Sequence, residues 1–223
     1  MQLDSVQIGV ADVDEAERAY TLLLGVAPMH FPDGVRRFQL GRGAVELEGG
    51  EPGVHSIRFI GPPAQWPTDR AAYYGLNVIV DEHDRAPAAA PDAVDAIDHV
   101  VVRTANPNRA IALWRDRLGL RLAFDREFPA RGLRLLFFRS GGITLEFASA
   151  SPAPTGASGD DHFYGLSYRV HDLEARRDRL IAAGVDVSAI RPGFKPGTTV
   201  ASVRSGTAGV PTLLLEDSTR RPA

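Results

Sequence analysis

The chain contains no cysteine, which excludes disulfides, thiolate metal sites and a cysteine nucleophile. It has no apolar run near the ~18 residues that a membrane-spanning helix needs. Neither sign of charge dominates: 25 Lys and Arg against 28 Asp and Glu leave a formal net charge of −3. That balance gives no electrostatic footprint for nucleic acid or for an anionic membrane surface. Met1 leads almost directly into the strand-like Leu3–Val10, so no signal peptide is expected. Phosphate-binding and triad signals are missing too: Gly206–Gly209 lacks a Gly-Lys-Ser/Thr ending, and neither a nucleotide fingerprint nor a Ser-His-Asp order stands out. What is present is ordinary for a folded protein. The 223 residues are 44% hydrophobic and 24% charged, enough for a real core in one large or two small domains. Together these features point to a cytoplasmic protein acting on a small molecule.

The strongest positive signal is repetition. Leu3-Asp4-Ser5-Val6-Gln7-Ile8 and Ile97-Asp98-His99-Val100-Val101-Val102 both read as strands with a polar start. Each precedes a helix. Asp12 with Glu15 forms a capping-box-like start, and Val13, Ala16, Tyr20 and Leu23 fall on one face. In the second copy Asn106 is the cap, Pro107 suits the first helical position, and Ile111, Trp114 and Leu118 share a face. Gly25 and Gly119 close the two helices. Asp4 to Asp98 and Gly25 to Gly119 are both separated by 94 positions (98 − 4 and 119 − 25). Three strand signals follow each helix: 27–31, 35–40 and 44–48, then 121–127, 133–139 and 143–148. Each unit therefore reads βαβββ. A third copy runs from the strand 164–170 through an Asp172-capped helix ending at Gly184, to strands at 186–190, 199–204 and 212–216. Between the first two copies lies a degraded one, with strands at 54–60 and 76–81. Its Pro62–Pro67 stretch is too proline-rich for a long helix, leaving 68–74 for a short one. The expected fold class is α+β, with βαβββ modules, cupped mixed sheets and helices outside. The expected division is an N-terminal half at 1–85 with its second module truncated, an Ala- and Pro-rich linker at 86–96, and a C-terminal half at 97–219.

The ordered set formed by Ile97–Val102, Arg117-Leu118-Gly119-Leu120, Gly142–Phe147, Arg169–Glu174, Ala182–Val185 and Leu213–Asp217 resembles the vicinal-oxygen-chelate superfamily. That group spans glyoxalases, bleomycin-resistance proteins and extradiol dioxygenases. The likeness covers about 120 residues of the C-terminal half. It implies a cup with a divalent ion inside (Zn, Ni, Mn, Co or Fe), held by the first and last strands of each module and acting as a Lewis acid on substrate oxygens. Carried over by position, the ligands are His99, Glu146 and Glu216. A remaining ligand is expected 66 positions after His99, the spacing between Asn106 and Asp172 (172 − 106), and that position is Gly165. His162 lies three residues earlier and is the candidate replacement. Glu146 and Glu216 are the candidate catalytic groups, one of them doubling as a base. Arg103 and His162 are candidate substrate contacts. In the N-terminal half Ser5 stands where His99 stands, and Glu48 matches Glu146 by its place after a turn, so no catalytic site is expected there.

Three functions follow from this resemblance. A metal-assisted lyase or isomerase on a small oxygen-rich molecule uses His99, Glu146 and Glu216. A metal-free binding protein of the bleomycin-resistance type needs no third ligand, which suits Gly165; an Fe(II) extradiol-type dioxygenase needs a donor to replace it. Blander readings stand beside these. His99 alone could be a half-buried strand histidine, and an Arg could satisfy either Glu, Arg103 first because it shares a strand face with His99. Trp114 reads as core, Trp66 as exposed or packed under a loop, and His30, His55, His83 and His171 as surface. Phe194–Thr198 reads as a solvated turn rather than a loop offering Lys195 to an anionic substrate. A monomer or homodimer is expected, partnered by a small molecule and by neither nucleic acid nor membrane.

Overall fold

The repeat signals become two mixed sheets, one from each half. The structure is a computed structural model and describes residues 1–61, 66–67, 69–82, 96–153 and 158–219. His83 and the linker up to Asp95 lie outside the described residues. The first half runs β1 (Gln2–Val10), α1 (Val13–Leu24), β2 (Met29–His30), β3 (Arg36–Gln39), β4 (Ala44–Gly49), β5 (Gly53–Ile60) and β6 (Val78–Asp81). Its strands lie in the order β2-β3-β4-β1-β5-β6. The second half runs β7 (Ala96–Arg103), α2 (Pro107–Ile111), β8 (Arg121–Phe128), β9 (Leu133–Ser140) and β10 (Ile143–Ala150). It continues through β11 (His162–Arg169), α3 (Leu173–Ala182), β12 (Arg191–Pro192), β13 (Thr198–Val203) and β14 (Thr212–Asp217). Those strands lie in the order β12-β13-β14-β11-β7-β10-β9-β8.

Local chemistry explains the helix ends. Asp12, Asn106 and Asp172 each accept a hydrogen bond from the backbone three residues on, at 2.9, 3.0 and 2.8 Å, so each helix start has one free N–H satisfied. Gly25 and Gly119 sit at φ 73° and 74°, a left-handed conformation that disfavours any residue with a Cβ. The helix expected to reach Leu118 regularly instead widens into a π-helix over Ala112–Arg117. Trp114 still points inward, fully buried, with its ring 5.7 Å from Phe147. The strand expected at 186–190 reduces to a single bridge between Val187 and Val203. There the Ser188 hydroxyl accepts from Ser202 N, and the pairing segment shifts to Arg191–Pro192.

One face of the second sheet packs under the helices. Val100, Val102, Leu145, Phe147 and Phe138 are all fully buried there. The opposite face curls into a cup, as a strongly twisted sheet tends to do. Its two edges meet. β8 and β12 end opposite sides of the sheet, yet Phe194, just after β12, lies 5.7 Å from Phe124 and 5.4 Å from Phe128 of β8, edge-on to both. The halves are joined by Trp66, which is buried rather than exposed and lies 5.1 Å from Phe59 and 5.9 Å from Trp114. On the helix side Arg176 of α3 donates to the Leu23 carbonyl at the end of α1, and Tyr20 donates to Thr207 O. Among the described residues no helix is long and apolar enough to cross a membrane.

Candidate functional site

Alternation along β7 and β10 sends His99, Val101 and Arg103, with Glu146 and Ala148, into the cup. They line a cavity of about 400 Å³ completed by Leu133 and Leu135 of β9, Tyr164 and Gly165 of β11, and Leu213 of β14. Leu145 and Phe147, on either side of Glu146, face the core as expected. The structure therefore brings His99 and Glu146 together: His99 Nε2 lies 3.7 Å from Glu146 Oε2. His99 Nδ1 faces Asp98 Oδ2 at 3.1 Å, which fixes the ring so that Nε2 looks into the cavity. That contact, with burial opposing it, holds the Asp98 carboxyl below its ordinary range. Glu146 makes no hydrogen bond within the described residues; its closest charged neighbour is His99, and its side chain is 20% exposed. Burial pushes its carboxyl above the ordinary value of 4.5, with His99 and Arg103 partly opposing the shift. Arg103 does not pair with it. The guanidinium instead lies 4.3 Å over the Tyr164 ring at the mouth.

Glu216 stands elsewhere. Its Oε2 accepts from Leu173 N at 3.0 Å, at the start of α3, so it points to the helix-covered face and not into the cup. Strand register gives the reason. Glu146 lies opposite Val101 in β7. The equivalent of Val101 in the last module, 66 positions on, is Ser167, and Ser167 lies opposite Leu213. Leu213, not Glu216, occupies the place of Glu146. Glu216, the ligand the resemblance implied, lies three residues beyond Leu213, an odd step along the strand that turns it to the other face. Gly165 is also more than a missing ligand. A Cβ there would fall 2.4 Å from the Pro211 carbonyl oxygen, so no side chain can stand at that position without moving backbone. His162 is exposed, opposite Arg103, and does not line the cavity. Two donors, His99 and Glu146, thus face the cavity, and no group of three or more His, Asp or Glu is arranged to hold a metal among the described residues. Two donors fall short of the three protein ligands of a resident catalytic metal, so the donor set does not fit one.

The N-terminal cup differs in kind. Ser5 lies opposite Ala44, as His99 lies opposite Thr144, so the counterpart of Glu146 is Glu46 and not Glu48. Glu46 is buried and paired at 2.6 Å with Arg37 Nη1. Arg37 also binds Asp4, the counterpart of Asp98, at 2.8 Å. Glu48 belongs to a neighbouring polar cluster: it accepts from Gln7 at 2.8 Å and lies 3.5 Å from His55. Polar side chains fill this cup from within.

Sequence reasoning missed the apolar wall of the C-terminal cavity. A signal existed: Leu133, Leu135 and Phe137 alternate with Leu136 and Phe138, so β9 is apolar on both faces and must be covered on both. Lys195, considered as a substrate contact, pairs with Asp217 at 2.7 Å, in keeping with a turn.

Residues 96–204 match the family model described as the Glyoxalase/Bleomycin resistance protein/Dioxygenase superfamily, and this part of the chain is similar to that superfamily. BphC, a halotolerant catechol dioxygenase, superposes over 96% of this chain and 86% of its own with a TM-score of 0.69 at 12% identity. Methylmalonyl-CoA epimerase from Mycobacterium tuberculosis covers 57% of this chain and 91% of its own at 22% identity and a TM-score of 0.47. The Streptomyces coelicolor epimerase in complex with 2-nitronate-propionyl-CoA covers 55% and 96% at 18% identity and a TM-score of 0.42. Among proteins of curated function, none matches the sequence. At 12% identity the likeness to BphC shows the fold alone.

Proposed function

We propose that this protein is a metal-free small-molecule binding member of the superfamily, holding a mainly apolar ligand in the C-terminal cup. One observation carries the reading: Gly165 and Leu213, which stand where a second pair of ligands would stand, turn that side of the cavity into an apolar wall. A cavity of about 400 Å³ with few convergent polar groups suits a small organic molecule. His99 and Glu146 supply the polar floor. Arg103, stacked on Tyr164, meets the outer end of the ligand. The metal-assisted lyase or isomerase reading needs a third donor, and Glu216 is committed to the start of α3.

The test pairs metal analysis with dye binding. Protein purified without chelator should carry no stoichiometric divalent ion, and the uncharged dye phenylnaphthylamine should fluoresce on binding. Filling the cavity by Ala148→Trp should abolish the fluorescence. A stoichiometric ion that His99→Ala removes would restore the lyase or isomerase and overturn the binding reading.

The raised Glu146 carboxyl favours one catalytic variant of the same site. A carboxylate that is poorly solvated and free of hydrogen bonds is a competent base for a proton α to a carbonyl. Deuterium exchange into a bound carbonyl compound, lost in Glu146→Gln, would demonstrate it.

A further inference from the structure

The two cups are copies, and one of them carries its own occupant. In the N-terminal cup the fully buried Arg37 guanidinium spans the hollow between Glu46, at 2.6 Å, and Asp4, at 2.8 Å. Arg37 lies directly opposite Glu46 across β3 and β4. In the C-terminal cup the residue directly opposite Glu146 across β9 and β10 is Phe137. The carboxylate was kept in both copies, and the internal cation only in one. A carboxylate drawn out of water without a hydrogen bond is costly, and Glu146, half-buried with His99 3.7 Å away, makes no hydrogen bond within the described residues.

What replaces Arg37 is informative. Phe137 is stacked on Phe124 of β8, ring centroids 4.8 Å apart, and Phe124 lies opposite Phe137 in the ladder. Directly opposed residues share a sheet face. One row of the cup therefore runs Phe124, Phe137, Glu146, Val101, with Glu146 and Val101 lining the cavity. Phe124 and Phe137 are stacked on each other beyond the cavity lining, so at this floor a cation is attracted by the charge of Glu146. The one guanidinium lining the cavity, Arg103, is held on Tyr164 at the mouth, and the nearest charged group to Glu146 is the His99 ring, 3.7 Å away.

We infer that the C-terminal cup takes an organic cation, an amidinium or protonated amine on an aromatic or apolar body, whose nitrogen bonds Glu146 where Phe137 stands in the place that Arg37 has in the N-terminal cup. The inference rests on the binding reading above and names the chemistry of the ligand for that site.

The experiment is displacement of phenylnaphthylamine from the intact protein by three isosteric probes: benzamidine, benzamide and benzoate. Benzamidine should displace the dye at a concentration lower by about tenfold or more, the size expected for a charge-assisted hydrogen bond. Glu146→Gln, a near-isosteric change, should erase that preference, bringing benzamidine level with benzamide in displacing the dye. Phe137→Arg should re-create the internal cation and exclude benzamidine. Benzamide or benzoate competing as well as benzamidine, or a preference that survives Glu146→Gln, overturns the cation and leaves the binding reading standing. So does a dye that binds and is not displaced by benzamidine. A protein that binds no dye fails the earlier reading, and this one with it.

Discussion

Arg37 and Glu146 show how little separates a structural charge from a functional one. Arg37 is satisfied by two carboxylates in a site closed to water. Removing it strands both, so Arg37→Leu should cost about 3–5 kcal/mol, read as a lower midpoint in chemical unfolding. Glu146 has the opposite character. Its carboxyl is raised by burial above 4.5, so the folded state holds the proton more tightly than the unfolded chain. The stability it contributes is present below the ordinary value and is lost as pH rises through the raised one. Glu146→Gln should therefore raise the melting temperature at pH 7, and the gain should shrink toward pH 4. A gain that grows on acidification would mean that the carboxylate is stabilised in the fold.

Among the elements, the segment after β12 matters most. Phe194 is 53% exposed, yet its ring closes against Phe124 and Phe128 across the two open edges of the sheet. Edge-to-face pairs contribute roughly 0.5–1.5 kcal/mol each beyond their area, enough to hold a turn but little for the whole fold. Phe194→Ala should leave the melting temperature within a few degrees while speeding both association and release of the dye in stopped-flow measurements. Unchanged rates would show that ligand enters by the Arg103 side. Gly193 and the Lys195–Asp217 pair shape this turn, which is why it reads in sequence as a plain solvated loop.

For the whole molecule, the halves share one aromatic seam. Phe59 and Trp66 from the first half meet Trp114 and Phe147 from the second, with Tyr73 6.0 Å from Trp114. Trp114→Ala should cost about 3–5 kcal/mol, as large-to-small core changes do. Because the seam is common, the wild-type chain should unfold in one calorimetric transition; two resolved transitions would show that the cups are energetically separate. Through the seam the N-terminal half packs against the core of the C-terminal half, while its own cup holds the Arg37 ion pairs.

Much of the fold was legible along the chain because the signals are local. Asp12, Asn106 and Asp172 cap helices through their own neighbours, Gly25 and Gly119 end them by backbone freedom, and the 94-residue offset shows the duplication without any coordinates. His99 and Glu146 were also readable, since each sits on a strand whose alternation fixes its face. The remainder of the cavity was not. Whether Leu213 or Glu216 faces His99, that a Cβ at Gly165 would collide with Pro211, and that Arg37 answers Glu46 while Phe137 stands before Glu146 all depend on register between strands distant in sequence. Register is set by the packing of the assembled sheet, and a shift of one residue exchanges its two faces. The residues and their helices are written locally, but the company each side chain keeps is fixed only when the sheets close.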